Sequence, residues 1–367
     1  MATGTYNADS ITALEGLEAV RRRPGMYIGG VDKEGLHHLL WEIVDNSVDE
    51  VMNGHASRIV VTLGKDGKTM TVSDNGRGIP VDVHKKSGKS ALELIFTTLH
   101  AGGKFDNDAY KVAGGLHGVG ASVVNALSKH LEAVVRRDGW TYSQAYRRGK
   151  PEGPVERGEP APRGSGTAVT FTPDPEIFRD TSYDPEVIAE RLDVKTYLNK
   201  GLVVQFIDEK ANATTEFRHE GGVVDFLTAI NAARQDVRVA EMPFSLERED
   251  ADSGLRCDVA LAWTEATDEH IRSFVNTIPT RDGGTHESGL RAAVRAAVLK
   301  YMKDHDLLKK GVEIKGEDIS EGLTAVLSIC VHEPQFQGQT KGRLNNPEVR
   351  GAVEWMVRPR LEDFLHK

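Results

Sequence analysis

Cysteine is scarce: Cys257 and Cys330 are the only two in 367 residues. Both lie in apolar surroundings (LRCDVALAW and VLSICV), which excludes a disulfide framework and points to buried thiols in a reducing compartment. No run of 18 apolar residues occurs, so no transmembrane helix and no membrane partner are expected. The opening, MATGTYNADSIT, lacks a basic segment followed by an apolar core, so no secretory signal is expected and the chain reads as cytoplasmic. Surplus positive charge is missing too: 46 basic residues face 55 acidic ones, for a formal net charge of -9. A surface that coats nucleic acid throughout is thereby excluded, whereas a local basic groove stays open. No internal repeat is present.

What is present suffices for folded cores. Hydrophobic residues make up 39% and charged ones 28%, well mixed, over a length that predicts two domains. A helical pattern runs from about Gly35 to Met52, and SRIVVTLGKDGKTMTVSDNG predicts a hairpin around Lys-Asp-Gly-Lys. KSALELIFTTLHAGGK predicts a helix closed by Gly102 and Gly103. Strands are expected at HLEAVVRRDG, WTYSQAYRRG and TAVTFTPD. Between the last two, GKPEGPVERGEPAPRGSG is expected to be a surface loop. A helix at PEVIAERLDVKTYLNK and a strand at GLVVQFIDE complete an α+β sheet with helices on one face. Near Gly221 the pattern restarts. GGVVDFLTAIN, strands at LRCDVALAWT and SFVNTIPT, a helix in GLRAAVRAAVLKYMKDH and a strand at GLTAVLSICVHEP predict a smaller second α+β domain. The expected division is 1–220 and 221–367. The last helix, PEVRGAVEWMVRPRLEDFL, carries Pro359, which should kink or end it.

Three stretches carry chemistry. GGLHGVGASVVNAL, residues 114–127, is not a P-loop, and it fails the G-x-G-x-x-G spacing because Val123 stands where the last glycine belongs. What remains is Gly115-x-x-Gly118-x-Gly120 running into a helix, where amides without intrahelical partners can hold an anion. The structural alternative is tight packing. In HHLLWEIVDNSVDEVM, helical spacing puts His38, Glu42, Asn46 and Asp49 on one stripe opposite Leu36, Leu40, Ile43, Val44, Val48 and Val51. Such a stripe is either a solvated face, or a carboxylate able to deprotonate water one turn from an amide oxygen suited to Mg²⁺. In VSDNGRGIP, a strand ends at Asp74, whose carboxylate could accept from an exocyclic amine of adenine. Gly76 and Gly78 would let a ligand lie against the backbone, or the stretch is an Asn-Gly turn.

In this order the three stretches resemble the GHKL ATPase superfamily. Within it the chain resembles the ATPase subunits of bacterial type IIA DNA topoisomerases, the gyrase B and topoisomerase IV B family. YNADSITALEGLEAVRRRPGMYIG, EIVDNSVDE, DNGRGIP, TTLHAGGKFDNDAYKVAGGLHGVGASVVNALS, IPTRDGGTHE and PQFQGQTKGRL carry the resemblance over nearly the whole chain. It implies a Bergerat-type α/β sandwich followed by a ribosomal protein S5 domain 2-like transducer.

The resemblance implies ATP and Mg²⁺ as cofactors. Glu42 is then the general base, supported by His38, and Asn46 the Mg²⁺ ligand. Asp74, helped by Thr167, binds the adenine amine; Arg77, Gly78, Ile79 and Pro80 line the purine pocket; Tyr110 contacts adenine. Lys104, Asp49 and the segment Gly115, Leu116, His117, Gly118, Val119 and Gly120 belong to the phosphate end. Gln339 and Lys341 of the second domain reach the γ-phosphate, and Lys341 senses its loss. Tyr6 and Ile11 match an N-terminal arm that closes an ATP-dependent homodimer, with residues 84 to 118 as a lid. Arg136 marks the mouth where aminocoumarin inhibitors bind.

DNA and a DNA-cleaving A-type subunit are the further partners that the resemblance implies. The family's metal-binding domain has no counterpart before Lys367, so an ATPase-and-clamp fragment unable to cleave or supercoil DNA alone is expected. A nucleotide-switched module of mismatch-repair type with little turnover is the alternative, disfavoured by QTK and the N-terminal arm. A kinase relative would need a phospho-accepting histidine on a dimerisation helix, and none is located.

Overall fold

The computed structural model describes residues 14–105, 110–115, 118–308, 311–338 and 340–367. Among these, α1 (Gly16–Arg22), α2 (Gly25–Ile28), α3 (Lys33–Met52), α4 (Ala91–Thr97), α5 (Gly120–Ala126) and α6 (Pro185–Leu198) accompany nine strands. These are β1 (Arg58–Leu63), β2 (Met70–Asp74), β3 (Ser128–Arg137), β4 (Trp140–Arg147), β5 (Lys150–Pro151), β6 (Glu156–Pro160), β7 (Gly166–Pro173), β8 (Val203–Asp208) and β9 (Ala213–Phe217). They form one sheet in the order β5-β4-β3-β7-β2-β1-β8-β9, with β6 also on β4. The pairing of β1 with β8 is parallel, Val61 opposite Phe206, and its other neighbour β2 is antiparallel.

The remainder contains α7 (Val223–Arg234), β10 (Phe244–Glu249), β11 (Arg256–Trp263), β12 (His270–Val275), β13 (Ile278–Pro279), α8 (Thr285–Asp304), α9 (Gly316–Ser320) and β14 (Leu323–Cys330). A short hairpin, β15 (Phe336–Gln337) and β16 (Arg343–Leu344), precedes α10 (Pro347–Leu365). The second sheet runs β10-β11-β14-β12-β13. The fold is thus α+β, two sheets each covered by helices.

Helix α3 positions the site. Asp32 caps it, its carboxylate accepting from Gly35 N at 3.0 Å, which satisfies one amide that the first turn leaves without a partner. Leu36, Leu39, Leu40, Ile43, Val44 and Val48 are buried against the first sheet. Such side chains contribute about 1.5–3 kcal/mol each on burial, so the apolar stripe fixes the rotation of the helix and hence the direction of its polar stripe.

Four local expectations differ from the structure. Helix α4 stops at Thr97, with extended Thr98 as its cap, before Gly102 and Gly103. Thr97 Oγ1 returns to the Glu93 carbonyl, a local bond that competes with helix continuation. The segment expected to be a loop contains β5 and β6, exposed edge strands on β4 whose prolines sit at strand ends, where a missing N–H costs nothing. SFVNTIPT is two strands, split by a turn at Asn276 and Thr277. Finally, Pro359 does not end α10: it faces solvent, and Val353, Met356, Val357 and Leu361 hold both halves of the helix in the core. The thiols of Cys257 and Cys330 are free, and burial raises them to about 12 and about 11.

Candidate active site

The polar stripe of α3 faces the glycine-rich segment. Asp49, 1% exposed at its side chain, accepts from Gly114 N at 2.7 Å and Gly115 N at 3.2 Å. Lys104 Nζ spans the same stripe, 2.6 Å from Asp49 Oδ2 and 2.6 Å from Asn46 Oδ1. One turn back, Glu42 Oε1 lies 3.0 Å from His38 Nε2. Gly120 opens α5 directly over Glu42: a methyl group there would overlap Glu42 Oε2. Gly118 takes φ +59°, and its carbonyl accepts from Ala101 N.

Lys341 comes from the second sheet's side of the molecule. The β15–β16 hairpin turn carries it at φ +57°, and its Nζ donates to the Gly114 carbonyl at 3.1 Å. Burial alone would raise Glu42. Instead Lys341, His38 and Lys104 surround it with positive charge and hold it at about 2. Two lysines from distant parts of the sequence therefore converge on one row of α3, leaving Glu42 fully ionised at neutral pH.

Beside Ser47 of α3 the carboxylate of Asp74 is buried. Its Oδ2 accepts from Ser47 Oγ at 2.8 Å; its Oδ1 accepts from Gly76 N at 2.9 Å and Thr167 N at 3.3 Å. A carboxylate has about four acceptor positions, so room remains for one further donor. Burial raises its pKa, opposed by these three donors. Thr167 Oγ1 also accepts from Ile79 N at 3.2 Å, which ties the DNGRGIP turn to β7. Pro80 is exposed, and so is Arg136 on β3.

Gly76 and Gly78 are glycine because the protein itself approaches them. A Cβ on Gly76 would meet the Glu50 side chain at 2.9 Å, and one on Gly78, at φ +78°, the Arg136 carbonyl at 2.7 Å. Both glycines are thus required by the protein's own packing, a reason that the expectation of a ligand against this backbone did not include. Arg77 and Tyr110 meet on Glu50, which sequence reasoning missed. Glu50 accepts from Arg77 N, Nε and Nη2 and from Tyr110 Oη at 2.7 Å, while the guanidinium lies 4.7 Å from the Tyr110 ring centroid. Against the effect of burial, these donors hold Glu50 at about 2. Its signal was in the spacing, four residues beyond Asn46 on the same helix. At 1.5 Å rise per residue, Glu42 and Glu50 stand ~12 Å apart along α3, framing an elongated site.

The structure thus gathers His38, Glu42, Asn46, Asp49, Lys104, Gly115, Gly118, Val119, Gly120 and Lys341 along the polar stripe of α3. Asp74, Arg77, Gly78, Ile79, Tyr110 and Thr167 adjoin it around Ser47 and Glu50 in the C-terminal half of the helix. Tyr6, Ile11, Leu116, His117 and Gln339 lie outside the described residues. Among the described residues no three His, Cys, Asp or Glu side chains gather as a cation cage, and no helix is long and apolar enough to cross a membrane.

Comparison with known proteins matches residues 31–177 to the family described as histidine kinase-, DNA gyrase B- and HSP90-like ATPase, and residues 222–367 to the DNA gyrase B family. The DNA gyrase B polypeptide of Thermotoga maritima is 47% identical over 98% of this chain and 57% of its own length. That of Streptomyces coelicolor is 45% identical over the whole of this chain and 56% of its own length. The chain therefore spans little more than half of these relatives. The 43K ATPase domain of Thermus thermophilus gyrase B, solved with an aminocoumarin, superposes with a TM-score of 0.79 at 41% identity, covering 95% of this chain and 90% of that one. The topoisomerase IV ATP-binding domain of Francisella tularensis, solved with a small-molecule inhibitor, gives 0.80 at 34% identity, over 96% and 93%. These relatives lend no support to the mismatch-repair alternative.

Proposed function

The chain belongs to the DNA gyrase B family, and from that premise we propose that it is the ATP-hydrolysing gate of a type II DNA topoisomerase. The observation that carries this is the convergence of Lys104 and Lys341 on the Glu42–Asn46–Asp49 row beneath the glycine-rich segment. Two cations from separate elements, beside backbone amides at a helix start, suit a polyphosphate. Asp74 with Thr167 then receives the adenine amine. Ile79, Pro80 and Gly78 line the purine pocket, and Tyr110 with Arg77 forms its wall.

Glu42 orients the attacking water and takes its proton, with His38 holding the carboxylate. Asn46 fits Mg²⁺: a neutral, hard oxygen donor without a full protein cage suits an ion that keeps water and phosphate ligands. When bound, that ion neutralises phosphate charge. Lys341, with Gln339, reads the γ-phosphate and gives the second unit, 221–367, a local electrostatic signal of hydrolysis in the first, 1–220. Nucleotide binding closes a homodimer through the arm bearing Tyr6 and Ile11, around a DNA segment, in a complex with a DNA-cleaving A-type subunit. Aminocoumarins bind at the mouth beside Arg136, and the protein acts in the cytoplasm.

The test is steady-state ATPase with Glu42→Ala. Turnover should vanish while nucleotide binding persists; near-normal ATPase would remove Glu42 from the base role. Activity measured against protein concentration should curve upward for a dimer-dependent enzyme, and a non-catalytic switch would show no turnover at any concentration.

A further inference from the structure

The hairpin between β12 and β13 turns on Asn276 and Thr277, both in the left-handed region at φ +49° and φ +64°. Asparagine accepts this backbone readily. Threonine, β-branched, does not, and such a residue persists where its surroundings over-determine it. Here the surroundings come from the glycine-rich segment and from α6. Asn276 is fully buried, and its Nδ2 donates to the Ala113 carbonyl at 2.7 Å and to the Val331 carbonyl at 2.9 Å. Its Oδ1 accepts from Val331 N at 2.8 Å. One side chain thus joins the residue before Gly114 to the end of β14. The neighbouring backbone is close as well: a Cβ on Gly114 would lie 3.1 Å from Ile278 Cδ1 and 3.3 Å from the Asn276 carbonyl.

Thr277 makes the other connection. Lys195 of α6, 2% exposed, donates to the Thr277 carbonyl at 3.0 Å and Oγ1 at 3.2 Å, and its Nζ lies 2.6 Å from Asp45 Oδ1. Asp45 directly precedes Asn46 on α3. A two-residue turn of the second sheet therefore touches the glycine-rich segment on one side and, through Lys195, the acid-bearing helix on the other.

We propose that Asn276 is a positioning residue that fixes the glycine-rich segment against α3, and that the Asn276–Thr277 turn is a contact between the two units separate from that of Lys341. The coupling part of this rests on the ATP-gate reading; the positioning part does not. Asn276 touches no reacting atom. It acts by holding Ala113, and thereby the Gly114 and Gly115 amides that Asp49 accepts and the Gly114 carbonyl that Lys341 uses.

Hydrogen exchange on the nucleotide-free chain reads the positioning directly. Asn276→Asp keeps the size but loses both N–H donations and sets a carboxylate against two carbonyls. The Gly114 and Gly115 amides should then exchange about tenfold faster, with Leu39 to Val44 of α3 unchanged. Asn276→Gly tolerates the left-handed backbone, should give the same pattern, and covers the case in which the aspartate variant does not fold. Unchanged exchange at Gly114 and Gly115 in a folded variant overturns the inference, whether or not nucleotide binds.

With Mg–ATP, kcat should fall about tenfold while the Kd for ADP stays within about threefold, a split that simple loss of folded protein would not produce. A kcat within about twofold of wild type would remove the coupling role. Wild-type protein that takes up no nucleotide, with exchange still faster in the variants, would instead sink the ATP-gate reading and leave the positioning role standing.

Discussion

Glu42 offers a quantitative test of how the site is charged. The carboxylate is mostly buried, with a side-chain exposure of 16%, and burial alone would raise its pKa. It is held at about 2 instead of the ordinary 4.5 by Lys341, His38 and Lys104. At about 1.4 kcal/mol per pH unit, that difference corresponds to about 3 kcal/mol of stability. The folded-state pKa is depressed, so the contribution is complete above the unfolded value of 4.5 and drains away as pH falls toward 2.

Glu42→Gln removes this titration. The stability difference between wild type and variant, from urea unfolding at a series of pH values, should therefore change by about 3 kcal/mol between pH ~5 and pH ~2 and stay flat above. Lys341→Met should shrink the change, because burial is then opposed only by His38 and Lys104. A difference independent of pH across that window, or one that Lys341→Met leaves intact, would refute the claim that Lys341 compensates Glu42.

Two further outcomes follow from the same contacts. Gly120→Ala should lose activity about tenfold or more while the fold is kept, because the new methyl group displaces Glu42; circular dichroism with ATPase measurement separates the effects, and unimpaired turnover would contradict the packing. Lys195→Met should destabilise by about 3–5 kcal/mol, since Asp45 is left partly buried without its cation, and Asp45→Leu in the same chain should recover much of the loss; equal thermal unfolding of the single and double variants would argue against a coupled pair.

Much of this was legible in the sequence because the signals were local. The period of HHLLWEIVDNSVDEVM placed Glu42 and Asn46 on one stripe, and α3 runs Lys33–Met52 against an expected start near Gly35. Glycine spacing located the segment before α5. What escaped was tertiary. Glu50 was not singled out, because only the fold brings Arg77 and Tyr110 onto it. Gly76 and Gly78 were read for the approach of a ligand, and the close packing of Glu50 and the Arg136 carbonyl on them had no local signal. Asn276 sat inside an apparent strand, since the left-handed pair that breaks it includes a threonine, a residue that sequence patterns assign to strands. Pro359 failed to end α10 because packing on α8 outweighs one lost backbone bond. Whether the assembly is a gyrase or a topoisomerase IV had no local signature; the two polypeptides compared by sequence above are gyrase B proteins, while one of the two solved domains belongs to a topoisomerase IV.

Adenine recognition by Asp74 is tested most directly by titration calorimetry of the folded protein with ADP and magnesium. Wild type should take up one nucleotide per chain, and Asp74→Asn, which presents an amide N–H where an acceptor is needed, should bind at least about tenfold more weakly. Undiminished uptake by Asp74→Asn, or none by the wild type, would contradict it.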